Sequence, residues 1–233
     1  MKKGLNLFAG IGGNRLPWTI PVTAVEIEPR IADIYQKRYP SDVVVVADAY
    51  EYLVGHFHEF DFIWASPPCP SHSKMSRTHV GRRYNGWDMK VQLPDLRLYS
   101  IIIFLNNHFR GDWIVENVDP FYDALKSDSI PVPSRIGRHL FWSNKQIPEI
   151  NIDTEAIMFK YKNDDNHYEE YLQEMCSVFE IDRDLVGKVG HNWGYNHDGI
   201  GQILRNAIHP KIARYLWECV NSTSKPVEMG ALR

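Results

Sequence analysis

The chain has 233 residues, of which 44% are hydrophobic and 24% charged, and its formal net charge is −3. This balance is typical of a globular protein that can bury a full core, and three cysteines are too few for a disulfide framework, which favours a reducing compartment. The negative charge argues against a protein that coats nucleic acid by bulk charge, and the apolar runs are too short to span a membrane.

The first 120 residues alternate between short apolar runs and amphipathic stretches. We predict buried strands over residues 5–8, 22–27, 43–46, 62–65 and 113–115. We predict helices over residues 30–38, 49–56 and 94–107. This alternation indicates βαβ units and a doubly wound parallel α/β sheet, in which a ligand binds beyond the carboxyl ends of the strands.

The rhythm weakens after residue 130. Residues 132–144 have a strand-like pattern, and residues 206–220 form an amphipathic helical pattern that can return to the main sheet. Between them, residues 145–199 are polar, acidic and aromatic. We therefore predict a main domain of residues 1–144 and 200–233 and a small appended domain of residues 145–199.

A glycine-rich segment, Asn-Leu-Phe-Ala-Gly-Ile-Gly-Gly over residues 6–13, follows the first strand and is predicted to open a helix. Glycines allow a ligand to approach the backbone, and a helix start offers free N–H groups. Glu26 ends the second strand, where a carboxylate can bind a ribose diol, and Asp48 follows the third, where it can meet an adenine amine. Together, the glycine-rich segment and the two acidic residues indicate a nucleoside-containing cofactor. Two alternatives stay open at this point: the segment is a tight turn beside surface acids with no ligand, or the cofactor is a nicotinamide dinucleotide.

The fourth strand leads into Ser-Pro-Pro-Cys-Pro at residues 66–70, called the Pro-Cys loop below. Prolines fix the backbone on both sides of Cys69, and a thiol on a rigid turn at a strand end is suited to be a nucleophile. The alternative is a small buried hydrophobic residue, which is the interpretation we give to Cys176 and Cys219.

The fifth strand leads into Glu116-Asn117-Val118. In a doubly wound sheet this brings Glu116 near Cys69, and burial would favour a protonated carboxyl that can donate a proton at neutral pH. The alternative is a surface or helix-capping glutamate. Asn117 is expected to be structural, with its amide fastening the Pro-Cys loop.

Charge is distributed unevenly along the chain. Residues 74–97 carry six basic residues against two acidic ones, whereas residues 151–185 carry ten acidic residues against three basic ones. The basic segment suits a loop that contacts phosphates, the alternative being a solvated charged loop.

Seven short motifs of this chain resemble, in their order and spacing, those of the C5-cytosine DNA methyltransferases, and the resemblance covers residues 4–144 and 200–220. They are Phe-Ala-Gly-Ile-Gly-Gly (8–13), Ala-Val-Glu-Ile-Glu (24–28), Ala-Asp (47–48), Ser-Pro-Pro-Cys (66–69), Glu-Asn-Val (116–118), Arg-Ile-Gly-Arg (135–138) and Asn-Ala-Ile (206–208). The resemblance implies a Rossmann-like methyltransferase fold, with residues 145–199 as a small target-recognition domain.

The resemblance also implies S-adenosyl-L-methionine as methyl donor and S-adenosyl-L-homocysteine as its product. The implied cofactor-binding residues are Phe8, Ala9, Gly10, Ile11, Gly12, Gly13, Glu26, Ile27, Asp48, Ala49, Pro67, Asn206 and Ala207.

In the reaction that the resemblance implies, Cys69 adds to C6 of a cytosine flipped out of the duplex while Glu116 protonates N3, and C5 then takes the methyl group. Pro68, Asn117 and Arg138 complete the implied catalytic set. The arginine motif of the family has a second arginine. With Arg138 aligned to the first, the second corresponds to Leu140 here, unless the register shifts and Arg135 takes its role. The DNA-binding candidates are Lys74, Arg77, Arg82, Arg83, Asn192 and Trp193, and no metal site is expected.

The implied partner is double-stranded DNA, with a cognate restriction endonuclease as a further candidate, in the cytoplasm of a bacterial or phage-infected cell and away from membranes. Because residues 145–199 are short and acidic, either their acidic face points away from DNA or target recognition needs a partner chain. Two alternatives stay open. One is a catalytically inactive DNA-binding relative, which the short acidic insert permits, and the other is an RNA cytosine-5 methyltransferase on the same scaffold.

Overall fold

The computed structural model describes residues 2–74, 83–84, 87–88, 93–152, 165–187, 203–204 and 206–221. Within these residues, the strands are β1 (Gly4–Leu7), β2 (Val22–Glu26), β3 (Val43–Val46), β4 (Phe62–Ala65), β5 (Arg83–Tyr84), β6 (Trp87–Asp88), β7 (Asp112–Val118), β8 (Ser134–Ile136) and β9 (His139–Ser143). Seven of them form one sheet in the order β3-β2-β1-β4-β7-β9-β8. The first five strands are parallel, and β9 pairs antiparallel with both neighbours.

Helices cover both faces of this sheet, as the predicted doubly wound arrangement requires. They are α1 (Pro29–Arg38), α2 (Ala49–His56), α3 (Arg97–His108), α4 (Asp165–Val178), α5 (Arg183–Gly187) and α6 (Pro210–Asn221). Side chains alternate along β4: Ile63 and Ala65 pack with α2 and α3 on one face, whereas Phe62 and Trp64 pack with α6 on the other. This period of two is what a strand buried on both faces produces.

The sheet reverses its order of strands between β1 and β4, and this reversal positions the site. Leu7 pairs with Val25 on one side and with Ala65 on the other, and Ala65 pairs with Val115. One row therefore crosses the sheet where β1 and β4 end and one residue before β2 ends, and β7 continues beyond it to Val118. The residues that follow this row are Phe8, Glu26, Ser66 and Glu116, so the predicted motifs meet at one edge.

Two local predictions were wrong. The glycine-rich segment is not the start of a helix but a series of turns, in which Gly12, Arg15 and Trp18 each donate to the carbonyl three residues earlier. Strand β3 is not buried, because it is the outermost strand of the sheet, and Val43 and Val46 are 60% and 54% exposed.

The described part of residues 145–199 packs onto the sheet domain. Helices α4 and α5 share one hydrophobic cluster with Ile11 of the glycine-rich segment and Ile34 of α1. Within the described residues, this cluster is a hydrophobic contact between the appended segment and the sheet domain. None of the described helices is long and apolar enough to cross a membrane.

Candidate active site

The glycine-rich segment is held against β2 by two hydrogen bonds. Ala9 N donates to Val25 O (3.0 Å), and Gly10 N donates to Oε2 of Glu26 (2.9 Å). Gly10 has a φ of +54°, and a Cβ built on it would meet nothing within 4 Å. Open space beside a left-handed glycine is what close approach of a ligand to the backbone requires.

Glu26 is 8% exposed, and its two carboxylate oxygens accept from different backbone groups. Oε2 accepts from Gly10 N and Oε1 from Glu28 N (3.0 Å), so the side chain is fixed at the end of β2. The next residue, Ile27, is 65% exposed although it is a large apolar side chain. A fixed carboxylate beside an exposed apolar surface is a pattern that suits a nucleoside.

Asp48 caps helix α2, where Oδ1 accepts from Tyr50 N (2.8 Å) and Glu51 N (3.1 Å). The Tyr50 ring packs edge-on against Phe8, with ring centroids 5.0 Å apart, and the Arg97 guanidinium lies 4.5 Å from the Tyr50 centroid. Burial, aided by the charge of Asp95, raises the pKa of Tyr50 to about 12. The ring is therefore neutral and forms an apolar wall at this end of the sheet.

The Asn-Ala-Ile motif at residues 206–208 contacts the glycine-rich segment. A Cβ on Gly13 would lie 2.7 Å from Ile208 O and 3.0 Å from Cβ of Ala207, so only glycine fits this contact. Asn206 is exposed beside it. Of the other predicted cofactor residues, Ala9, Ile11, Ala49 and Pro67 are buried, and Ile11 packs into the cluster with α4 and α5.

The Pro-Cys loop is fastened to β7. The Pro67 carbonyl accepts a buried hydrogen bond from Nδ2 of Asn117 (3.0 Å), the role expected for this amide. After the loop, the Cys69 carbonyl accepts from His72 N (2.9 Å) and Ser73 N (3.1 Å), which forms a turn. Cys69 itself is partly exposed, whereas Pro68 is exposed. The end of β4, the Asn117 amide and the turn thus fix the backbone on both sides of Cys69.

The charges of two predicted residues act on the Cys69 sulfur. Burial is the main reason that the pKa of Cys69 rises to about 11, and the negative charge of Glu116 raises it further. The positive charge of Arg138 acts in the opposite direction and lowers this pKa. The thiol, the carboxyl group and the guanidinium therefore lie within electrostatic range of one another.

Glu116 has a partner that the sequence reasoning missed. Its Oε1 lies 2.6 Å from Nδ1 of His139, and their side chains are 9% and 15% exposed. On the other side of the imidazole, Arg138 donates from Nε to Nε2 of His139 (3.1 Å). The only signal available in sequence was that His139 directly follows the arginine motif. Leu140, where a second arginine was expected, is buried in the sheet.

The other candidates for DNA contact are only partly described. Lys74 is paired with Asp119, which also binds Arg135 (2.8 Å), so Arg135 is engaged away from Glu116. Arg83 lies in β5, and only its backbone is described. The predicted DNA-binding residues outside the described part of the chain are Arg77, Arg82, Asn192 and Trp193. Among the described residues no group of His, Cys, Asp or Glu side chains could hold a metal ion.

Comparison with known proteins finds a family match and similar folds. Residues 2–89 match the family of C-5 cytosine-specific DNA methylases. The fold is similar to that of a candidate DNA modification methyltransferase encoded within an E. coli prophage, at 13% identity, 95% and 100% coverage of the two chains and a TM-score of 0.50. It is also similar to a mutant of DNMT2 from Spodoptera frugiperda, at 12% identity, 95% and 100% coverage and a TM-score of 0.54. No curated protein matches the chain in sequence.

At these identities the structural likeness shows the fold, which is the Rossmann-like methyltransferase fold. The predicted fold class and the predicted resemblance to the C5-cytosine methyltransferases are confirmed.

Proposed function

We propose that this chain, which resembles the C-5 cytosine-specific DNA methylases, is an S-adenosylmethionine-dependent DNA (cytosine-5) methyltransferase. The observation that carries the proposal is the juxtaposition of a partly exposed thiol in the loop after β4 and a buried carboxyl group among the last paired residues of β7. Asn117 ties the Pro-Cys loop to β7, and the charge of Glu116 acts on Cys69. An isolated surface cysteine would have neither feature.

The residues at the ends of β1, β2 and β3 fit the cofactor. Open space at Gly10 admits a ligand against the backbone, and the fixed Glu26 carboxylate retains lone pairs for a ribose diol. Ile27 offers an apolar face to an adenine, and capping through Oδ1 leaves Oδ2 of Asp48 for the adenine amine. When bound there, S-adenosylmethionine supplies an electrophilic methyl group.

The protein residues make C5 of cytosine nucleophilic. The Cys69 thiol first gives its proton to solvent, because its pKa of about 11 keeps it protonated at neutral pH. The thiolate then forms a bond to C6, the C5–C6 pair becomes a C4–C5 double bond, the C4–N3 pair moves to N3, and Glu116 gives N3 a proton. The resulting enamine carries the nucleophilic C5 that is methylated. Loss of the C5 proton to solvent then restores the C5–C6 double bond, breaks the S–C6 bond and releases the Cys69 thiolate, which takes a proton from solvent, while N3 returns its proton to Glu116.

Target recognition is assigned in this proposal to residues 145–199. The acidic charge of this segment repels phosphates, so either its acidic face points away from DNA or a partner chain supplies target recognition. A cognate restriction endonuclease is the further partner that a modification enzyme of this kind implies.

The proposal is tested with duplex DNA that contains 5-fluorocytosine together with S-adenosylmethionine. Fluorine cannot leave as a cation, so the enzyme should remain covalently attached to the base. Cys69→Ser should abolish the adduct, whereas Cys219→Ser, which changes another partly exposed cysteine, should leave it intact. Binding of duplex DNA without any adduct would refute the proposal and favour a non-catalytic relative.

A parallel reaction with fluorinated RNA tests the alternative substrate. We expect an adduct with duplex DNA and not with RNA. An adduct with RNA alone would overturn the DNA assignment while keeping the reaction chemistry. Addition of S-adenosylhomocysteine should raise the melting temperature and NAD should not, because only a ligand that binds the native state stabilises it.

A further inference from the structure

The strongest feature that the proposed reaction does not yet use is His139. It lies at the first position of β9, in register with Val118, whereas Phe141 is in register with Glu116. Two positions along a strand return to the same face, so His139 and Glu116 are diagonal neighbours on one face of an antiparallel pair. This explains how a histidine on one strand reaches a largely buried carboxyl group on the next, at 2.6 Å.

The second contact of His139 fixes where its hydrogen lies. The guanidinium of Arg138 can only donate, so its Nε–H requires a lone pair on Nε2 of the imidazole. A neutral imidazole that accepts at Nε2 carries its hydrogen on Nδ1. That hydrogen points to Oε1 of Glu116, and the hydrogen bonds run in one direction, from Arg138 through His139 to Glu116.

We propose that His139 is a positioning residue for the proton donor, an inference that rests on the proposed function. Its Nδ1–H occupies Oε1 of Glu116, so Oε2 is the oxygen left to take up a proton and deliver it to cytosine N3. A carboxyl group without this contact could turn and present either oxygen. Arg138 of the arginine motif thus acts on Glu116 indirectly, through the imidazole of His139.

The kinetic test measures the rate of adduct formation on 5-fluorocytosine DNA at saturating cofactor. His139→Leu should slow it by about 10- to 100-fold, the usual effect of removing a group that orients a reacting residue. His139→Asn places an amide N–H near the Nδ1 position and should recover most of the rate. The matched control is His56→Leu, because His56 forms an exposed pair with Glu59 at the same 2.6 Å and should have no effect.

A double-mutant cycle separates positioning from a structural role. If His139 acts only through the carboxyl group, His139→Leu should add almost nothing to the loss caused by Glu116→Gln, since residues that act as a unit are not additive. Additive losses would mean that His139 merely supports the fold. A wild-type rate in His139→Leu, with the adduct still formed, would overturn this inference alone.

A substrate-free measurement covers the case in which no adduct forms at all. Two-dimensional ¹H–¹⁵N spectra of the histidine side chains at pH 7.5 should show His139 with its hydrogen on Nδ1 and an unprotonated Nε2. The opposite tautomer would overturn the positioning role whatever the reaction proves to be. Absence of the adduct in wild type, with the expected tautomer, would refute the proposed function instead.

Discussion

The reactivity of the Cys69 thiol is the most direct test of the site's electrostatics. Its pKa lies at about 11 against an ordinary 9.0, mainly because of burial and secondly because of the Glu116 charge. Two pKa units mean that the thiolate fraction at pH 8 is about 100-fold smaller than in an unfolded chain. Since only the thiolate is alkylated, iodoacetamide should modify native Cys69 about 100-fold more slowly than the same residue in the denatured chain.

The assay follows the peptide that contains Cys69 by mass spectrometry, so that Cys176 and Cys219 are read separately. Between pH 7 and pH 10 the native rate should rise about tenfold per pH unit without a plateau, because the group titrates above this window. A plateau near pH 9, or equal rates in the native and denatured chains, would refute the assignment of a buried, protonated sulfur.

Two substitutions should shift this rate in opposite directions. Glu116→Gln removes the charge that raises the pKa of Cys69, and alkylation at pH 8 should become about three- to tenfold faster. Arg138→Met removes a charge that lowers the pKa, and alkylation should become slower by a similar factor. Changes of the same sign would show that general loosening of the loop, rather than charge, controls the sulfur.

The remaining predictions concern the supports of the site. Gly12→Ala should lower the free energy of unfolding by about 3 kcal/mol in urea titrations, because φ is +75° and the new Cβ would lie 2.5 Å from Tyr39; a loss below about 0.5 kcal/mol would contradict this geometry. Asp42→Asn should lower the free energy of unfolding by about 3 kcal/mol in the same titrations, because it leaves the buried Arg15 without the carboxylate that it binds through two nitrogens. Replacing both Arg15 and Asp42 by apolar residues should recover most of this loss. Asn117→Ala should cost about 1–3 kcal/mol and speed alkylation of Cys69, because a buried carbonyl of the Pro-Cys loop loses its donor; an unchanged alkylation rate would mean that this amide does not hold the loop.

The strands that carry the site were predictable from sequence. Apolar runs that end abruptly in Gly, Glu, Pro or Asn are typical of buried parallel strands, and β4 is observed over Phe62–Ala65 as predicted. Strand β7 extends over Asp112–Val118, beyond the predicted apolar core, because Glu116 and Asn117 pair with β9. Pairing with a later antiparallel strand leaves no mark in the apolar pattern of the earlier one.

What the sequence could not supply depends on the order of strands and on contacts across them. The four valines of β3 read as buried, but nothing local indicates that this strand ends the sheet. The helix predicted after the glycines fails because Arg15 is drawn into a buried pair with Asp42, which holds the segment in turns. The contact between His139 and Glu116 depends on the register of β7 against β9, and register cannot be read from either segment alone.

The packing of β7 and the positions of Glu116 and Asn117 both depend on the alternation of side chains along this strand. Val115 packs with α3 on one face of the sheet, while Ile114 packs with α6 on the other. Because side chains alternate, this packing sends Glu116 to the face of Ile114 and leaves Asn117 on the opposite face, where its amide reaches Pro67. A slip of one residue would exchange the two faces, so the proton donor would leave His139 and the Pro-Cys loop would lose its amide in the same step. Apolar substitutions that loosen the register of β7 should therefore reduce adduct formation before they unfold the protein.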